Sequence, residues 1–108
     1  MISEEEYLAI ALSFPNTEQK PHFDRIGVKV IGKRMFTTYW PENNTANIFL
    51  SLKAQASFCK KDRSNIYPVP NKWGEKGATT FELDLVSEKL IREALLLAYN
   101  DVLLNKKR

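Results

Sequence analysis

Apolar residues recur along this chain in two rhythms, helical at both ends and alternating between them. Tyr7, Ile10, Ala11 and Phe14 fall at i, i+3, i+4 and i+7, the single stripe of an amphipathic helix. Ser3-Glu4-Glu5-Glu6 precedes that stripe as a capping box, with Glu6 reaching back to the cap and all three glutamates facing the positive end of the helix dipole. Pro15 and Asn16 end the helix. At the other end, Ser87 caps a long helix with a wide apolar face made of Leu90, Ile91, Ala94, Leu95, Ala98 and Val102. The closing Lys106-Lys107-Arg108 suits the negative helix terminus and is expected to fray.

From His22 to Lys53 the pattern is extended. His22 to Ile26 reads as a short strand, Val28-Lys29-Val30 alternates, and Ile31-Gly32-Lys33 makes a tight turn into the β-forming run Met35 to Trp40. Pro41 to Asn44 is a loop by composition. Ile48, Leu50 and Leu52 then alternate with Phe49, Ser51 and Lys53 as a half-buried strand. Short turns between these runs favour antiparallel pairing, because parallel pairing needs long crossovers. A short helix is expected over Gln55 to Lys61, and a last strand over Thr79 to Leu85 with Phe81, Leu83 and Leu85 on one side. The order predicts one α+β domain over residues 1–108, an antiparallel sheet covered on one face by the terminal helices. Phe14, Val30, Phe36, Leu50, Leu83, Leu95 and Tyr99 are its expected core.

The segment Tyr67 to Phe81 breaks both rhythms. Pro68 and Pro70 fix φ and withhold donors, and Gly74 and Gly77 let the chain turn back with positive φ. Between them stand Lys72, Trp73 and Lys76. Trp73 either caps the core, which the average burial of large aromatics favours, or stands exposed beside cations, where it can stack on unpaired bases.

Composition narrows the class. With 44% hydrophobic residues the chain can build one core without staples. The lone Cys59 has no partner for an internal disulfide, so a reducing compartment is expected. The start Met-Ile-Ser-Glu-Glu-Glu lacks the basic and apolar regions of a signal peptide, and Leu95 to Tyr99 is too short to span a bilayer. A cytoplasmic protein with no membrane contact is the expectation. The net charge of +3 says little, but its distribution says more. Residues 20–76 carry eleven cations against four carboxylates, an excess that can attract a polyanion. Lys60, Lys61 and Arg63, with Lys53 nearby, add a basic run at the second helix, either a solvated helix end or a phosphate contact.

Catalytic chemistry is thin. His22 is the only histidine, and Asp24 and Ser51 are imaginable triad partners, but no nucleophile elbow, phosphate-cradling glycine loop, metal-ligand pair or dinucleotide fingerprint accompanies it. A hydrogen-bonded structural His22 at a strand start is expected, with no enzyme activity and no cofactor. Adjacent Glu4, Glu5 and Glu6 are accounted for by capping, since a metal needs converging ligands.

With its motifs assembled, the chain resembles the MmcQ/YjbR family of small bacterial proteins. The resemblance lies in Phe14-Pro15, Glu18 to Phe23, Val28-Lys29-Val30, Gly32-Lys33 before Met35-Phe36-Thr37, Leu50 to Lys53, Tyr67 to Gly74, and Ala98-Tyr99. It implies a frataxin/CyaY-like fold and DNA binding through a double-wing arrangement of basic loops and strands, without enzyme activity. Carried to this sequence, the contributors it implies are Lys29, Lys33, Arg34, Lys53, Lys72 and Lys76, with Trp73 beside them. Weak, salt-sensitive DNA binding is the resulting expectation. Relatives often carry Gly-Trp where this chain has Gly77-Ala78. The same fold also implies an alternative: an adaptor that binds a protein or small ligand.

Overall fold

In the computed structural model, which describes residues 1–104, each end of the chain folds back on the same sheet. The elements run α1 (Glu4–Leu12), β1 (Thr17–His22), β2 (Arg25–Val30), β3 (Met35–Trp40), β4 (Thr45–Phe49) and α2 (Leu52–Lys61). They continue through β5 (Ile66–Pro68), α3 (Lys72–Glu75), β6 (Ala78–Glu82) and α4 (Glu88–Leu103). The strands form one six-stranded sheet in the order β1-β2-β3-β4-β6-β5, with every pair antiparallel. Both predicted caps are made: Ser3 and Glu6 close the capping box of α1, and the Ser87 hydroxyl accepts from the Leu90 amide at the start of α4.

Register assigns the two faces of the sheet. Ile26, Tyr39, Ala46 and Phe81 align across it, and Val28, Thr37, Ile48 and Thr79 form the next row of the same face. Helices cover this side. Tyr7 of α1 stacks on Tyr39, Tyr99 of α4 meets Phe36 edge-on, and Phe58 of α2 meets Phe81. Between Val28 and Lys29 the pairing slips by one residue, so Val28 faces Thr37 and Lys29 faces Met35. The extra residue turns both Phe36 and Thr37 into the core, as a β-bulge does. Thr37 donates to the Asn47 carbonyl, which makes the buried Tyr7 hydroxyl the donor to Thr37 at 2.6 Å. Phe14, Phe36 and Tyr99 form an aromatic cluster, and Tyr99 donates to the Pro15 carbonyl, locking α4 to the end of α1.

The expected core is largely in place: Val30, Phe36, Leu50, Leu83, Leu95 and Tyr99 are buried, and Phe14 packs half-buried against them. Several boundaries differ. The stretch from His22 to Ile26 is not a strand: β1 ends at His22, Phe23 and Asp24 turn, and β2 starts at Arg25. Neither turn residue is Gly or Asn, so nothing local marks it. Leu52 and Lys53 belong to α2, because the Ser51 hydroxyl accepts from Ala54 and starts the helix there. The last strand stops at Glu82, whose carbonyl takes the amides of Leu85 and Val86. That turn leaves Leu85 exposed and buries Val86 in its place. Lys106-Lys107-Arg108 lie outside the described residues. Among the described residues, no helix is long and apolar enough to cross a membrane.

Candidate nucleic-acid interface

Among the described residues, the opposite sheet face has only the short α3 at its rim. Gly27, Thr38, Asn47 and Thr80 align across its middle, with Lys29 and Met35 paired nearer one end. A concavity of about 640 Å³ opens on this face, within the range of ~300–1,000 Å³ that ligand sites occupy. Its floor includes Thr38 and Asn47; one wall is the β1–β2 turn from His22 to Arg25, and the other holds Val69, Asn71 and Trp73. Arg34 of the β2–β3 turn also lines the concavity, and Phe49, paired with Ala78, completes the lining towards the second wall.

The Trp73 wall is built from the proline-rich segment. Ile66 to Pro68 pair with β6 as an edge strand, and Val69 donates its amide to the Ala78 carbonyl. Asn71 then caps α3, its side-chain oxygen accepting from the Trp73 amide at 2.9 Å. Gly74 allows this short helix to close on the strand, since a Cβ there would lie 1.7 Å from the Val69 carbonyl oxygen. Gly77 takes φ +114° and passes the Leu50 carbonyl at a distance that leaves no room for a Cβ. From the helix side, buried Gln55 donates to the carbonyls of Gly74 and Ala78 and to the Thr79 hydroxyl. The result is a rigid shelf on which Trp73 stands 60% exposed. Trp73 therefore does not cap the core, as its size led us to expect; α3 sits at the rim of the open face and points it outward. Lys76 lies over this ring, 6.0 Å from its centroid, at the outer edge of cation–π range.

The opposite wall is a two-residue turn with positive φ at Phe23. Phe23 is 95% exposed, and His22 meets it edge-on at 5.0 Å. His22 thus ends a strand on the surface against an aromatic ring, where a hydrogen-bonded residue at a strand start was expected. Ser51 is committed to capping α2. Arg25 lies over Trp40, 5.0 Å from the ring centroid, with its Nη1 buried and without a hydrogen-bond partner among the described residues. Burial lowers its pKa, against a smaller opposing pull from Asp24. Across the sheet, Tyr67 donates to the Glu82 carboxylate; that bond and then burial push the phenol up to about 12.

Of the nominated residues, Arg34 and Trp73 line the concavity, Lys29 shares its sheet face, and Lys72 and Lys76 flank Trp73 in and after α3. Lys33 sits beside Arg34 in the β2–β3 turn. Lys53 is brought elsewhere, onto α2 on the helix-covered side. Lys61 is engaged by the Phe58 ring and by Glu93. Phe23, Arg25, Thr38 and Asn47 were missed. Only Thr38 fell within an expected strand, Met35 to Trp40; Asn47 lay before the predicted start at Ile48, and the turn at Phe23 has no local signal. Among the described residues, no group of three or more His, Cys, Asp or Glu side chains is arranged to hold a metal. No protein-family model matches this chain, and neither does any curated protein or solved structure.

Proposed function

We propose that this protein binds nucleic acid without catalysing a reaction, through the open sheet face, in the manner of the MmcQ/YjbR proteins it resembles. The observation that carries the reading is that one sheet face is left concave and largely uncovered, with cations and aromatic rings at both ends. Arg25 and Arg34 line it, and Lys29 and Lys76 border it. Nearby acids are partly engaged: Glu18 pairs with Lys20 at 3.9 Å, and Glu82 accepts from Tyr67. Two further carboxylates stand close by: Asp24 lines the concavity beside Arg25, and Glu75 lies in α3 next to Lys76. The excess of positive charge is modest, so affinity is weak, in the range of ~10⁻⁴–10⁻⁶ M at physiological salt, and falls as salt rises because counterion release drives it.

The sequence carries Ala78 where relatives often have Trp, and Ala78 lies in the lining beside Phe49. A small residue there keeps the floor open next to Trp73. The concave shape also supports the alternative, a small-ligand or peptide adaptor. Fluorescence anisotropy with labelled DNA across a salt series separates the two. Binding that weakens with salt, and that Lys72→Ala/Lys76→Ala weakens for every sequence while flattening the salt slope, supports the nucleic-acid reading. No binding at low salt, or a double variant that matches wild type, overturns it and moves the adaptor ahead.

A further inference from the structure

The β1–β2 turn spends conformational energy that the fold does not return. A phenylalanine at φ +59° occupies backbone space that favours glycine and is unfavourable for a bulky residue. Its ring is 95% exposed, so burial repays nothing; among the described residues it meets only the His22 ring. A strained residue that presents an aromatic ring to solvent points to a binding role. Trp73 supplies a second exposed ring on the opposite wall of the same concavity, held by the Gln55 and Asn71 hydrogen bonds.

We infer that the two rings receive unpaired nucleobases, with Phe23 and Trp73 as stacking surfaces at either end of the groove and the surrounding cations on the phosphates. This rests on the nucleic-acid reading above and makes its ligand a single strand. Charge complementarity selects a nucleic acid over an apolar peptide: Arg25 and Arg34 line the concavity, and Lys76 lies over the Trp73 ring. Stacking selects the single strand, because a duplex keeps its base faces inside the helix, where neither ring reaches them. Half-buried Asn47 on the floor, whose amide oxygen already accepts from Thr80, presents its amide to base edges.

The test is fluorescence anisotropy at low salt with four labelled probes: a thymidine DNA single strand, a uridine RNA single strand, a DNA duplex, and an abasic DNA strand with the same phosphates and no bases. Wild type is expected to bind at least one base-bearing single strand more tightly than both the duplex and the abasic strand, and the tighter of the two identifies DNA or RNA as the source. Phe23→Gly and Trp73→Ala are each expected to weaken single-strand binding about 5- to 150-fold, the equivalent of stacking one base, with duplex binding unchanged. Phe23→Gly is expected to keep or raise Tm, which separates lost binding from lost folding, and Trp73→Phe is expected to retain most of the affinity. Equal binding of abasic and base-bearing strands, or ring variants that bind single strands like wild type, overturns stacking and leaves phosphate binding standing. No binding of any probe overturns both.

Discussion

Gly77 and Phe23 both hold positive φ, yet the chain pays for them differently. At Gly77 a Cβ would meet the Leu50 carbonyl oxygen at 1.8 Å, and at Gly74 the Val69 carbonyl oxygen at 1.7 Å. Neither contact can relax without moving backbone, so Gly74→Ala and Gly77→Ala are each expected to cost about 3 kcal/mol in chemical denaturation. Gly32 also has positive φ but nothing within 4 Å of a Cβ, so Gly32→Ala is expected to cost only about 1–2 kcal/mol. Phe23→Gly runs the other way. It removes the ~1–2 kcal/mol of left-handed strain and adds ~0.5–1 kcal/mol of glycine entropy, so folding stability stays level or rises slightly.

Among the elements, α1 and the α3 shelf make separable predictions. Ser3→Ala removes the side-chain half of the capping box and is expected to cost about 1 kcal/mol in thermal or chemical unfolding. Hydrogen bonds from the Ser3 backbone and side chain lower the Glu6 pKa below its ordinary 4.5. Its contribution is therefore present above that value and lost as pH falls through the lowered one. Tyr67 has the opposite sign. Its pKa is raised from 10.0 to about 12, so its contribution holds below pH 10 and is lost as pH rises through that window. An ultraviolet absorbance titration should show several late-ionising tyrosines, because burial also raises Tyr7 and Tyr39, and Glu82→Gln should return only the Tyr67 component towards normal. Gln55→Ala should cost roughly 2 kcal/mol, since it strips side-chain donors from two backbone carbonyls and a threonine hydroxyl in the shelf. A matching rise in Trp73 mobility, read by its fluorescence anisotropy, would show that the shelf depends on this residue.

At the scale of the whole molecule, the helices divide the sheet into a load of buried apolar contacts and a free surface. Edge strand β1 is mostly exposed and carries Lys20 and Pro21, which discourage pairing with another chain. Central β3 and β4 lie beneath α4 and are mostly buried. Amide hydrogen exchange should therefore be slowest in β3, β4 and α4 and fastest in β1 and its turn. Uniform protection across all strands would show that the open face is covered in solution. The open face is also where nucleic-acid binding must change exchange, and a footprint confined to the helix side would contradict the proposed site.

Local chemistry in the sequence determined both terminal helices, their caps, the antiparallel alternation and most of the core, because caps and periodicity act within a few residues. Lys29, Arg34, Lys72 and Lys76, nominated through the family resemblance, lie in or beside the uncovered part of the sheet. Lys53 lies elsewhere because Ser51 draws it into a helix, and the sequence left the exposure of Trp73 open. The exposure of Trp73 depends on contacts distant in sequence: Gln55 reaches Gly74 and Ala78 from 19 and 23 residues away. The turn at Phe23 was hidden for a related reason, since its own residues disfavour that turn and the pairing of β1 with β2 imposes it. Likewise the slip beside Val28 turns both Phe36 and Thr37 inward, against the alternation that any local pattern predicts. Tertiary structure decided these three features because each is set by packing between segments, where long-range contacts outweigh the preference of the residue itself.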